Sequence, residues 1–249
     1  GILAAMHCLL RPGDHVVCTF PGYQSLYQVA ESLGCEVSRW QPCEADGWRF
    51  DPQALEAQIR PQTRVVVCNF THNPTGYLPN HDDWGRIVDI ARRYDLHLFS
   101  DEMYRHLELD PGARLPAAVE LYEKGISLFG MSKTFGLAGL RLGWLATRDA
   151  QLLGALCAFK DYTTICNSAP SEVLALMALR GREAIIGQHL QRVKSNLGVL
   201  DEFMVRHRDR LSWVRPKAGT VAFARLGHGA SAAQFCERVR QDTGILLLP

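Results

Sequence analysis

Short apolar runs at residues 14–20, 35–40, 64–70, 96–100 and 125–131 alternate with stretches of helical character, and this alternation limits the fold more than any other feature. Strands that alternate with helices imply a mostly parallel sheet whose crossovers cover its faces. Runs such as Val65-Val66-Val67-Cys68 read as buried strands. Helices are expected over 1–10 and 23–33, from Asp51-Pro52 onward, and over 82–94. Arg11-Pro12-Gly13 and Gly34 stop the first two. Asp51 caps the third with Pro52 in its first turn, and Asn80 caps the fourth with Asp82 and Asp83 behind it. A further strand is expected at 140–147.

Beyond residue 150 the pattern changes. Helices are expected at 150–159, 168–180 and 183–208, strands at 212–215 and 220–225, a helix at 231–242 and a last strand at 244–248. In open α/β sheets, ligands bind beyond the carboxyl ends of the strands. Tyr23, Asn73, Asp101 and Lys133 all follow such ends.

Charge and cysteine usage narrow the function classes. With 27 basic and 26 acidic residues the net charge is +1, which offers no footing for nucleic acid or an acidic membrane surface. No apolar stretch approaches the length of a spanning helix. Eight cysteines are scattered without a C-x-x-C pair, so free thiols in a reducing, cytoplasmic setting are expected, with no disulfide framework and no metal site. The 249 residues start at Gly1 in a helical pattern and stop at Pro249 just after an apolar run, and so read as a fragment without a signal peptide.

The stretch Ser132-Lys133-Thr134-Phe135-Gly136-Leu137-Ala138-Gly139-Leu140-Arg141 carries the chemistry. A lysine aimed inward from a buried strand needs a partner or a lowered pKa. Its neutral form condenses with an aldehyde to give a Schiff base. Arg141, eight residues later, suits bidentate binding of a phosphate, and Gly136 and Gly139 let backbone and ligand approach closely. A lysine and a phosphate clamp together suggest pyridoxal phosphate. Asp101 ends a strand where a carboxylate could keep a pyridine nitrogen protonated. Tyr104 lies on the same loop, within reach of the cofactor's phenolic oxygen, and Glu102 reads as structural. The turn His72-Asn73-Pro74-Thr75-Gly76 offers an amide after a strand, and Tyr23 an aromatic ring able to stack on an electron-poor one.

With those parts in place, SKTFGLAGLRLGW, the N-P-T-G turn and D-E-x-Y resemble the class I/II aminotransferases, the fold-type I pyridoxal-phosphate enzymes, over essentially the whole chain. The resemblance implies an α/β fold: a helix-sandwiched, mostly parallel large domain at 1–182, short at its N-terminus, then an interdomain helix and a partial α+β small domain at 183–249. It implies amino transfer between an amino acid and a 2-oxo acid through a Lys133 aldimine, with Lys133 then moving the proton from substrate Cα to cofactor C4′. Asp101 would hold the pyridinium, Asn73 and Tyr104 the phenolic oxygen, Arg141 the phosphate and Tyr23 the ring face.

A homodimer is also implied, as are a small-residue phosphate loop upstream of Gly1 and a carboxylate-binding arginine beyond Pro249. Gly130 departs from the pattern, since relatives carry a phosphate-binding serine three residues before the lysine. NFTHNPTG, the lysine stretch and Lys160-Asp161-Tyr162 are also similar to capreomycidine synthase-like members, which eliminate and cyclise. A lyase or cyclase therefore stays open beside amino transfer, as does a regulatory domain without catalysis.

Overall fold

The apolar runs form β1 (His15–Thr19), β2 (Glu36–Trp40), β3 (Thr63–Asn69), β4 (His97–Asp101) and β5 (Gly125–Gly130), joined at one edge by β6 (Gly143–Thr147). In the computed structural model, which describes residues 1–227 and 229–249, they make one six-stranded sheet in the order β2-β1-β3-β4-β5-β6. The first five strands pair in parallel, and β6 lies antiparallel to β5.

The period-2 side-chain alternation of β3 shows how both faces are filled. Val65 and Val67 meet Val16, Phe99 and Ile126 on one face, while Val66 and Cys68 meet Val17 and Leu98 on the other. Each aliphatic side chain buried this way contributes about 1.5–3 kcal/mol. The second face adds an aromatic cluster in which Phe50 meets Trp40 at 5.1 Å and 74° and Phe70 at 5.5 Å and 69°. Such edge-to-face packing adds to the value of burial.

Helices cover both faces: α1 (Ile2–Leu9), α2 (Ser25–Ser32), α3 (Pro52–Glu56), α4 (His81–Arg93) and the short α5 (Ala118–Leu121). The Asp51 carboxylate accepts from Gln53 N–H at 3.1 Å, and the Asn80 side chain accepts from Asp83 N–H at 2.7 Å. Arg92 and Arg93 close α4 opposite the carboxylates of its first turn, as the helix dipole favours.

Then follow α6 (Ala150–Asp161), α7 (Ala169–Arg180), α8 (Arg182–Arg206), the two-stranded ribbon β7 (Leu211–Trp213) and β8 (Ala224–Leu226), and α9 (Ala232–Thr243). Residues 216–219 lie between two loops of the large sheet. Lys217 N–H donates to Gly76 O at 2.9 Å, Leu109 N–H to Lys217 O at 3.1 Å and Gly219 N–H to Leu107 O at 3.0 Å. Among the described residues no helix is long and apolar enough to cross a membrane.

Three expected strands are corrected. The one expected at 140–147 begins only at Gly143, because Ala138–Leu140 form a 3-10 turn and Arg141 takes a left-handed φ of 51°. Of residues 220–225 only the last two belong to β8, since Gly219 turns the chain with φ 81° and the residues after it line a cavity. Residues 244–248 form no strand. Gly244 ends α9 in the left-handed region, and the apolar residues after it stay exposed with no ladder to join.

Candidate active site

Because β1, β3, β4 and β5 are neighbours, the segments that leave their carboxyl ends stand side by side. Tyr23 follows β1, Asn73 follows β3, Asp101 is the last residue of β4 and Lys133 follows β5.

Asp101 is 4% exposed, and its carboxylate accepts one hydrogen bond, from Met103 N–H at 3.1 Å. Burial pushes its pKa up to about 6. The Met103 N–H opposes that shift, Glu102 reinforces it and the Lys133 ammonium opposes it. Tyr104 is buried on the same loop; burial and then the Asp101 charge raise its phenol, and a hydrogen bond with Thr220 works against them. The Lys133 ammonium lies 6.0 Å from the centroid of the Tyr104 ring. Thus Asp101, Tyr104 and Lys133 are brought together.

Lys133 is exposed, which corrects the expectation of a lysine buried from the strand. It leaves β5 into an open cavity, where the side chain keeps water and avoids the cost of desolvation. Beneath it, Met131 and Phe135 pack with Ala175 and Ala178 of α7, so the lysine loop has a small core of its own.

Asn73 is half-buried; its N–H donates to Asn69 Oδ1 at 2.8 Å, and no protein group among the described residues takes its side-chain amide. Tyr23 is 53% exposed and Arg141 is exposed, with its guanidinium donating, among the described residues, only to Ala138 O at 2.9 Å. These two are not brought into contact with the others. Glu102 accepts from Ala118 N–H at 3.0 Å and from the Ser127 hydroxyl at 2.7 Å, anchoring α5 to β5, in keeping with a structural role.

Four residues without an assigned role in the sequence reading hold this arrangement together. The Asn69 amide donates to Asp101 O at 3.2 Å and accepts from Asn73 N–H, so one side chain sets two strand exits. His72 Nε2–H donates to Pro21 O at 2.8 Å, and its Nδ1 accepts from the Thr75 hydroxyl at 2.8 Å. The β1 exit is thereby fixed to the β3 exit. Burial lowers the His72 pKa to about 4, against the carbonyl's pull, which keeps the ring neutral. The buried Thr134 hydroxyl reaches Met103 O at 3.1 Å and Arg105 O at 2.7 Å, and His189 Nδ1–H donates to Thr134 O at 2.9 Å. A polar amide closing a valine run could have flagged Asn69. His189 had no local signal, since its partner is remote in the chain.

The donor set suits a flat aromatic aldehyde bearing a basic ring nitrogen. A buried carboxylate with one hydrogen bond matches a ring N–H, a free amide and a phenol match an oxygen acceptor, and a primary amine matches the aldehyde. Gly130 has a packing reason. It pairs with Gly143 across β5 and β6, and a Cβ there would lie 3.0 Å from both Gly143 Cα and Leu142 O.

The family described as Aminotransferase class I and II matches residues 1–249. Capreomycidine synthase of Streptomyces vinaceus is 29% identical over 236 residues, 95% of this chain and 60% of its own length. A probable N-succinyldiaminopimelate aminotransferase of Mycobacterium tuberculosis is 31% identical over 187 residues, 74% of this chain and 47% of its own. The crystal structure of a PLP-dependent aminotransferase from Streptococcus suis superposes with a TM-score of 0.93 at 33% identity, covering 100% of this chain and 65% of the other. The chain therefore spans less than two thirds of the length of these relatives.

Proposed function

This chain belongs to the class I and II aminotransferase family, and from that premise we propose that it binds pyridoxal 5'-phosphate and moves an amino group between an amino acid and a 2-oxo acid. The observation that carries the reading is that Asp101 and Lys133 leave neighbouring strands: a buried carboxylate with one hydrogen bond, and an amine on the next strand exit. When bound, the cofactor supplies an aldehyde for amines and a ring that withdraws electrons from the reacting carbon.

In this reading each residue has a role set by its place. Lys133 holds the cofactor covalently and, once freed, takes the proton from substrate Cα. Asp101 keeps the ring nitrogen protonated, because a cation beside it offsets the cost of its buried charge. Asn73 and Tyr104 donate to the phenolic oxygen, Arg141 binds the phosphate and Tyr23 covers the ring. Residues 1–182 act as the cofactor-binding domain and 183–249 as interdomain helix and small domain. We place the protein in the cytoplasm, in line with its eight free cysteines, and in a homodimer, in line with exposed apolar Val173, Leu176 and Met177 on α7.

The absorption spectrum of the full-length protein with pyridoxal phosphate tests this. A visible band that is lost on adding an amino acid and restored by a 2-oxo acid is expected, and both band and turnover vanish in Lys133→Ala. Wild-type turnover in that variant rules the mechanism out. A second reading, a cyclase on the same scaffold, is favoured by the likeness to capreomycidine synthase over 95% of this chain. It predicts ring-closed product with no restoration of the band by any 2-oxo acid.

A further inference from the structure

Lys133 leaves a turn that closes on its own peptide: Gly136 N–H donates to Lys133 O at 3.0 Å and Leu137 N–H to Met131 O at 2.9 Å. Among the described residues no ion pair or hydrogen bond directs the Lys133 side chain, so the backbone beneath it sets where the amine points. That backbone is gripped at residue 134 from two sides. The Thr134 hydroxyl reaches Met103 O and Arg105 O, the carbonyls that flank Tyr104. The Thr134 carbonyl accepts from Nδ1–H of His189 on α8 at 2.9 Å. A carbonyl only accepts, so this bond fixes the proton of the neutral ring on Nδ1. The carbon beside that nitrogen, Cε1, lies against Gly136, 2.6 Å from where a Cβ would stand. One imidazole thus spans the turn from residue 134 to residue 136.

We propose that His189 is a positioning residue for the Lys133 amine: through Thr134 O and Gly136 it holds the turn in the shape that sends the lysine toward the Asp101–Tyr104 loop. This rests on the reading above, in which Lys133 holds the cofactor. The demand on the turn is strict, because a displacement of about 1 Å at a reacting group costs roughly a hundredfold in rate. The hydroxyl bonds of Thr134 alone leave the turn free to pivot about them. The grip on its carbonyl removes that freedom.

Three variants of the full-length protein separate the atoms of the ring. Asparagine places an amide N–H near the site of Nδ1, glutamine places one near that of Nε2, and leucine offers neither. When pyridoxal phosphate is added to cofactor-free protein, the visible band is expected to form roughly tenfold or more slowly in His189→Leu. With the common L-amino acid that reacts fastest as donor, kcat should fall similarly while KM stays within about twofold. His189→Asn should recover most of both losses and His189→Gln little. In the cofactor-free protein, amide exchange at Gly136 and Leu137 should rise about three- to tenfold in His189→Leu, and exchange at Val65, Val66 and Val67 of β3 should stay within about twofold.

Recovery by glutamine but not asparagine overturns the proposal, since Nε2 then acts directly on what the cavity shared with Lys133 holds. Exchange that rises equally in β3 overturns it in favour of a general loss of stability. Unchanged band formation and exchange overturn it outright, and the reading above stands if amino transfer is observed. If band formation and exchange both respond while no amino acid and 2-oxo acid interconvert the band, the positioning role stands and the amino-transfer reading falls.

Discussion

His189 Nδ1–H donates to Thr134 O at 2.9 Å, so the long helix α8 is hydrogen-bonded to the residue next to Lys133. The same imidazole leaves no room for a side chain at Gly136, where a Cβ would lie 2.6 Å from His189 Cε1 and φ is already 65°. A helix remote in sequence thus fixes the shape of the lysine loop, and the glycine in that loop is required by both contact and backbone.

Thr134→Val should destabilise the protein by about 1–3 kcal/mol, because the half-buried carbonyls Met103 O and Arg105 O lose the one hydroxyl proton they share. Urea midpoints of the wild type, Thr134→Val and Thr134→Ser measure it. Serine is expected to hold most of the stability, and a valine variant as stable as wild type contradicts the assignment.

Asp101 has a folded pKa of about 6 against an ordinary 3.8. A raised acid stabilises the fold where it is neutral in both states, below about pH 4, and that contribution is lost as pH rises through about 6. In cofactor-free protein, Asp101→Asn removes the buried charge. Its stability relative to wild type should therefore improve by ~1–3 kcal/mol between pH 4 and pH 8. A flat difference across that range refutes the shift.

The pH dependence of His72 has the opposite sign. Its folded pKa of about 4 lies below the ordinary 6.5, so its contribution is present above pH 6.5 and lost as pH falls through about 4. His72→Gln should cost about 1–3 kcal/mol near pH 7, with Pro21 O and the Thr75 hydroxyl losing their partner, and progressively less toward pH 4. Denaturant titrations at a series of pH values separate this slope from that of Asp101.

Gly130→Ser restores the residue that the family pattern leads one to expect, yet it should weaken the protein. The added Cβ meets Gly143 Cα and Leu142 O at 3.0 Å, both of them backbone atoms. A loss of about 1–3 kcal/mol is expected by thermal unfolding, without tighter cofactor binding. A serine variant that is both stable and tighter-binding would show that the strands can yield.

What could be read in the chain was what is decided locally. Asp51 and Asn80 were legible as caps because a side chain and the next turn suffice. The valines of β3 were legible because burial on both faces leaves no polar alternation. Strand ends placed Tyr23, Asn73, Asp101 and Lys133 at one edge of the sheet. Relations across the chain were not legible: the double contact of the Asn69 amide, the hold of His189 on Thr134, and the close approach of Gly130 to Gly143. The exposure of Lys133 depends on a cavity assembled from α8 and the 216–222 segment, which no single stretch encodes. The apolar residues 245–248 have the composition of a strand, but composition supplies no neighbour.

The strand order β1-β3-β4-β5 also sets a length. Adjacent strands lie about 4.8 Å apart, so the exits that carry Tyr23 and Lys133 are separated by three intervals, roughly 14 Å. Along that edge the groups occur in the sequence tyrosine, amide, carboxylate, amine. Substitution can alter each of them, but the spacing of the strand ends they follow is dictated by the backbone ladder. Groups carried on four such exits reach one small ring only by leaning inward across the strands, so the turns that follow the strands decide where they meet.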